Sequence, residues 1–265
     1  MLTRRAVGAL ALVVVALGAL GLSRATAPTT GQLAAALEKA PPIVDVVEPS
    51  PESVVEPLAE NETLVAYVDP SLDRIWPVVE PESEERVPLE FAITNPTFWG
   101  NQLTLRVIDR TPDGEWLKVQ IPVRPNGTEG WIEADGVELT SHFVHARVDL
   151  TSRSVTVWDD DEVIAETAAT IGTEATPTPV GEFFVNDLVE KFEGSAFGPY
   201  ILTISAFSET LETFAGGIPV IAIHGTNRPD LMGGAHSNGC IRVPNDVITF
   251  LAEHVPMGTP VEIVA

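Results

Sequence analysis

One thiol and one imidazole stand out as groups able to do chemistry. Cys240 is the only cysteine of the chain and lies in the run His236-Ser237-Asn238-Gly239-Cys240-Ile241-Arg242-Val243, sixteen positions after His224. A single cysteine cannot form an intramolecular disulfide, and a free thiol near pKa 8.5 is mostly protonated at neutral pH, so a nucleophilic role needs a base or a positive charge beside it. His224 follows an apolar run that reads as a strand, which would present the imidazole at its end, and it is the leading base. Gly225 lets the backbone turn there, and its carbonyl can orient the ring. Gly239 permits close approach of a substrate, and the amides of Gly239 and Cys240 are candidates to bind a developing oxyanion. In an extended segment Arg242 shares a face with Cys240, where its charge favours thiolate or holds a substrate carboxylate, unless it merely pairs with a surface acid.

Other uses of these residues are weaker. A zinc site of Cys240, His224 and His236 lacks the four ligands and paired cysteines usual in structural sites, so neither metal nor cofactor is expected. A buried, inert cysteine suits a core strand better than the polar Ser237-Asn238-Gly239 turn. His142, His145 and His254 have no catalytic neighbours in sequence and read as structural or solvated.

The elements that must position the pair are mostly strands. Val144-His145-Ala146-Arg147-Val148 and Ser154-Val155-Thr156-Val157-Trp158 alternate as half-buried strands, followed by the acidic turn Asp159-Asp160-Asp161. The best helix spans residues 245–254, with Asn245 as its expected cap and Val247, Ile248 and Leu251 on one face. A closing strand ends the chain. Upstream, residues 62–140 show short apolar runs broken by Asp113-Gly114 and Asn126-Gly127, the pattern of a small all-β unit of hairpins. Trp116 and Trp131 read as its core, with a binding groove as the alternative.

The N-terminus points outside the cytosol. Arg4-Arg5, seventeen uncharged and mostly apolar residues at 6–22, and Ala25-Thr26-Ala27 have the order of a secretory signal, while the length also suits an uncleaved membrane anchor. Residues 28–61 are rich in proline, glutamate and alanine and read as an extended linker holding a short helix at residues 32–39. Thirty-eight acidic residues against fifteen basic ones give a net charge of -23. That excludes a basic footprint for nucleic acid.

Ile223-His224-Gly225-Thr226-Asn227, then Gly233-Gly234, then the residues from Ser237 to Asp246 resemble the signature of the L,D-transpeptidase (YkuD-like) catalytic domain. Thr176-Pro177-Thr178-Pro179-Val180-Gly181, Gly198-Pro199-Tyr200 and Gly258-Thr259-Pro260 extend the likeness over residues 142–265. Residues 62–140 resemble a bacterial SH3-like module through Trp116 and Gly130-Trp131. The fold so implied is mainly β: a small SH3-like module, then a sandwich-like domain with a mixed sheet and few helices. The resemblance implies exported peptidoglycan L,D-transpeptidation without a cofactor. Cys240 attacks the carbonyl of the third stem-peptide residue, D-alanine leaves, and His224 moves the proton. Ser237, Asn238, Gly239 and Arg242 position the substrate, and carbapenems are expected to acylate the thiol. Trimming by water, a catalytically silent wall-binding protein and another secreted cysteine hydrolase are the alternatives. The family usually has histidine at the position of Asn238, and asparagine there keeps a donor and an acceptor but loses the titratable group.

Overall fold

Alternating apolar residues in two series of strands create two sheets, each with one face that must be covered. The computed structural model describes residues 58–192 and 194–265, which fall within one compact unit, Ser50–Ala265. The expected export segment, and most of the linker with its short helix, lie outside the described residues. Among those described, no helix is long and apolar enough to cross a membrane.

The first series is β1 (Thr63–Val68), a short pair β2 (Arg74–Ile75) and β3 (Ile93–Thr94), then β4 (Thr104–Arg110), β5 (Trp116–Gln120), β6 (Glu129–Glu133) and β7 (Val137–His142). Five of these form an antiparallel sheet in the order β6-β5-β4-β1-β7. Leu117, Val119 and Ile132 point into its core. Trp116 and Trp131 occupy the alternate positions and are only half-buried, on the face that carries the Lys118–Glu129 ion pair at 2.7 Å. The expectation that they form the core is corrected: strand parity gives those places to aliphatic neighbours.

The second series is β8 (Val144–Asp149), β9 (Ser154–Asp159), β10 (Glu162–Ala168), β11 (Ile171–Gly172), β12 (Gly181–Glu190), β13 (Tyr200–Phe207), β14 (Val220–His224), β15 (Ala235–Ser237), β16 (Ile241–Arg242) and β17 (Pro260–Val264), with one α-helix, α1 (Asn245–His254). Eight strands make a mixed sheet in the order β10-β9-β8-β17-β12-β13-β14-β16, whose parallel pairs are β17–β8 and β14–β16. α1 packs Ile248 and Leu251 into the core formed by Leu202, Ile204, Ile223 and Ile241. The chain is thus mainly β with few helical residues.

The sheets share more than a boundary. Phe184, from β12 of the second sheet, is fully buried among Leu105, Leu117 and Val119 of the first. Around this plug, Asn126 makes paired bonds with the backbone of Phe207, both at 2.9 Å, imitating a strand partner. Gln120 donates to the Glu182 carbonyl at 3.3 Å. Gly258, at φ +86°, lies so close to Val65 that a Cβ would stand 2.5 Å from a methyl carbon.

A plug of this kind couples the stabilities of both sheets. Phe184→Ala should cost about 3–5 kcal/mol in urea unfolding, the usual loss for a large buried aromatic. With Trp158→Phe in the background to remove the one tryptophan of the second sheet's strands, the remaining tryptophan fluorescence and the far-UV signal of both sheets should still fall in one transition. A loss under about 1 kcal/mol, or two separated transitions, would contradict the shared core.

Candidate active site

Strand pairing places the thiol and the imidazole. Ile201 of β13 is in register with His224, and His224 with Arg242 of β16. Two residues back, Thr203 pairs with Ala222, and the β14–β16 register continued one residue beyond the Ile223–Ile241 pair sets Cys240, which precedes β16, beside Ala222. Leu202, Ile223 and Ile241 form the row between them and point into the core. Side chains alternate along strands, so Ala222, His224 and Arg242 project to the other face, and Cys240 falls in the same parity. β16 is only two residues long, and bonds at both of its edges hold it. Arg242 exchanges backbone bonds with Thr170, both 2.8 Å, and the Val243 amide donates to the His224 carbonyl at 2.9 Å.

The turn before Cys240 is fixed by hydroxyls. Ser237, 1% exposed, donates from Oγ to the Cys240 carbonyl at 2.5 Å and accepts the Gly239 amide at 3.1 Å. Gly239 has φ +111°, and a Cβ there would stand 2.8 Å from Ile221 Cδ1, so only glycine fits. Thr178 Oγ1 donates to the Gly239 carbonyl at 2.8 Å and accepts the Gly172 amide at 2.9 Å. Thr176 Oγ1 and the Thr173 amide both reach the Ser237 carbonyl, at 3.2 and 3.1 Å. The threonine-proline segment is therefore the clamp of this turn. One expectation changes: the Gly239 amide is engaged by Ser237 and is not a free oxyanion donor, because the buried hydroxyl needs an intramolecular partner.

His224 is 3% exposed. Its Nδ1 lies 2.6 Å from the Gly225 carbonyl, which only accepts, so Nδ1 carries the proton and Nε2 holds the lone pair. Phe197 meets the ring edge-on at 5.0 Å. Burial pushes the imidazole down to about 4, against the Gly225 carbonyl and with help from the Arg242 charge. Gly225 has no room for a side chain, since a Cβ would meet Asn245 Oδ1 at 2.3 Å and Gly198 Cα at 3.0 Å. That Asn245 oxygen accepts the Thr226 amide at 2.7 Å. Asn245 does not cap its helix, as the sequence suggested. Pro244 stands at the N-cap with φ -54° and ψ 150°, an extended geometry its ring already favours, and this leaves the Asn245 side chain to tie down the loop after His224.

Cys240 is half-buried, with Sγ 4.0 Å from the Val220 carbonyl. Burial pushes the thiol up, opposed by the Ala222 backbone and the Arg242 charge. The resting pair is thus thiol and neutral imidazole, and no hydrogen bond joins them among the described residues. Arg242 has no carboxylate within ion-pairing distance among these residues, and its buried Nε has no hydrogen-bond partner. Asn238 and His236 are exposed, and the His236 ring lies against Gly234, where a Cβ would come within 2.3 Å of it. A cleft of about 550 Å³ opens where β14 ends, lined by Ser195, Gly198, Thr226, Asn227, Asn245 and Asp246. Sequence reasoning assigned no role to Thr173, Thr176, Thr178, Phe197 or Thr170. The run of threonines spaced by prolines was the one available signal.

Known proteins resemble this chain over its second series of strands. Residues 144–263 match the family of L,D-transpeptidase catalytic domains, YkuD. The YkuD protein of Bacillus subtilis is 33% identical over 119 residues, which cover 45% of this chain and 65% of that protein. The YkuD protein of Bacillus licheniformis is 34% identical over 116 residues, covering 44% and 62%. The chain therefore spans slightly less than two thirds of the length of these curated relatives. A crystal structure of an Enterococcus faecium L,D-transpeptidase superimposes with a TM-score of 0.37 at 26% identity, over 46% of this chain and 49% of that one. Cys240, His224 and Arg242 all fall inside residues 144–263, the span that is similar to the L,D-transpeptidase (YkuD) catalytic domain.

Proposed function

We propose that this protein is an exported peptidoglycan L,D-transpeptidase with Cys240 as nucleophile and His224 as base. The observation that carries the reading is the pairing of β14 with β16, which sets the imidazole and the thiol on neighbouring strands beside an unpaired guanidinium. In the proposed reaction, rotation of the Cys240 side chain brings Sγ–H toward His224 Nε2. Resting structures often leave such bonds unmade. Sγ attacks the carbonyl of the third residue of a tetrapeptide stem while the thiol proton passes to Nε2. The C–N bond to the terminal D-alanine breaks, and the imidazolium returns that proton to the departing amine. The side-chain amine of another third residue then attacks the thioester, His224 takes its proton, and the thiol re-forms. Water in place of the amine gives a trimmed tripeptide. No step calls for a metal or organic cofactor.

The unpaired Arg242 suits a stem-peptide carboxylate, since a guanidinium binds carboxylates through two parallel hydrogen bonds. We read the first sheet as the SH3-like, wall-associated module, the N-terminal segment as signal or anchor, and the proline-rich stretch as a tether across the envelope.

Incubation with a disaccharide-tetrapeptide should yield a cross-linked dimer or a tripeptide with release of D-alanine, and a carbapenem should add its mass once to the intact protein. Both results should vanish in Cys240→Ala, and His224→Gln should slow acylation at least about 100-fold, the usual range for losing a general base. An alkylatable thiol that gives neither product nor adduct would leave a silent wall-binding protein as the better account.

The buried imidazole also sets a pH response. His224 titrates near 6.5 when unfolded and near 4 when folded. Below pH 6.5 the unfolded chain takes up a proton that the native site refuses, so stability is intact above 6.5 and is lost as pH falls toward 4. Between pH 7 and 4.5 the wild type should lose about 2–3 kcal/mol more than His224→Gln in urea unfolding. Equal losses in the two proteins would mean that His224 is not held neutral.

A further inference from the structure

The turn at residues 97–100, between β3 and β4, is held rigidly yet displays two aromatic rings to solvent. At its base Asn95 donates to the Asp69 and Leu72 carbonyls, both at 2.9 Å, and accepts the Leu103 amide at 2.9 Å. The Thr97 amide donates to the Asn101 carbonyl at 2.8 Å, and Gly100 donates back to Thr97 at 3.0 Å. Asn101 then ties the turn to the catalytic sheet, bonding the buried Asp187 carboxylate and, at 3.0 Å, the Leu188 carbonyl. At the tip Phe98 is 89% exposed and Trp99 44%. Their rings meet edge to face at 5.0 Å, and the Lys191 ammonium sits 5.0 Å from the Trp99 ring centroid. Phe192, next to Lys191, is 77% exposed. Large apolar rings fixed in water on a well-anchored turn mark a contact site.

The position of the turn narrows what it contacts. Asp187 is in register with Thr203 and Thr203 with Ala222, and the Ile223–Ile241 register continued by one residue sets Cys240 beside Ala222. Three strand spacings of about 4.8 Å put the anchor of the turn roughly 14 Å from the thiol, measured across the sheet. In the proposed reaction the acylated carbonyl belongs to the third stem residue. Three residues and a lactyl link separate that carbonyl from the sugar, and at about 3.3–3.6 Å per residue an extended stem covers roughly 10–14 Å. We propose that Phe98 and Trp99 form a stacking platform for the glycan strand that carries the donor stem peptide, a proposal that rests on the activity proposed above. The apolar C–H face of a pyranose packs on an aromatic ring, and the Lys191 ammonium can donate to its hydroxyls. A membrane surface is the poorer occupant, because a chain of net charge -23 is repelled by anionic lipid.

The test uses the full chain, its Phe98→Ala variant and the Phe98→Ala/Trp99→Ala double variant. With peptide-free glycan strands in calorimetric titration, affinity should fall by about tenfold in the double variant and by less in the single one, in keeping with the loss of aromatic anchors. Phe98→Ala removes a ring that packs against little, so it keeps the experiment readable if the double variant does not fold. In turnover, the wild type should prefer the disaccharide-tetrapeptide over the free tetrapeptide in kcat/KM. The variants should lose that preference while processing the free tetrapeptide as before. Equal glycan binding by all three proteins, or rings needed for sedimentation with phosphatidylglycerol vesicles and not for glycan, would overturn the platform. If no protein turns over either donor but glycan binding still depends on the rings, the transpeptidase reading fails and the platform stands.

Discussion

The parallel pairing of β14 with β16 is the constraint on which the site depends. It is a minimal ladder, since β16 contributes only Ile241 and Arg242. Its strength lies in what surrounds it: Ile223, Ile241 and Val243 are buried in one core, and Thr170 and His224 hold the backbone on either side. Burying that row fixes parity, and parity decides which side chains face outward. A slip of one residue would send Arg242 into the core and Ile241 to the outer face, so hydrophobic burial enforces the register of the candidate site.

The same burial sets the charge state of the site. His224 is driven down and Cys240 up by loss of solvent, so both rest neutral even though Arg242 stands beside them. A pre-formed thiolate–imidazolium pair would need opposite shifts. In the proposed reaction the proton moves only when a substrate carbonyl is in place to accept the sulfur. Arg242 then has two effects: it favours negative charge on sulfur and opposes positive charge on the imidazole. In a chain this acidic, a guanidinium without a carboxylate partner among the described residues, with a buried Nε left unbonded, leaves a local positive field that an anionic ligand can fill.

Much of this was legible in the sequence. The strand ending at His224, the closing strand β17 and the helix face of Ile248 and Leu251 follow from apolar periodicity, and the likeness to the L,D-transpeptidase catalytic domain over residues 144–263 from the residues around Cys240. The failures share a cause. Asn245, Trp116 and Trp131 are read from their neighbours in sequence, and each is decided by partners far away: Asn245 answers to Thr226, and the tryptophans to which face of their sheet receives Phe184. The Gly239 amide is taken by Ser237, two residues back, in a turn that Thr176 and Thr178 hold. The clamp of Thr176 and Thr178 on Ser237 and Gly239 joins segments about sixty residues apart, and the threonines spaced by prolines are its one local sign.

Asn238 is best understood through that clamp. The bonds that hold the nucleophile turn run from Thr176 to Ser237, from Ser237 to Cys240 and Gly239, and from Thr178 to Gly239. None passes through residue 238, whose side chain is exposed. A base in the proposed reaction needs a lone pair held in a dry, fixed orientation, and His224 has that through the Gly225 carbonyl and the Phe197 ring. An exposed position beside the nucleophile has neither the desolvation nor the anchoring that would tune a proton acceptor. A histidine there would act on substrate at the mouth of the site, and asparagine, with one donor group and one acceptor, can make the same kind of contact without charge. In the proposed reaction the exchange therefore bears on how a stem peptide is held, while the thiol and the imidazole keep their places.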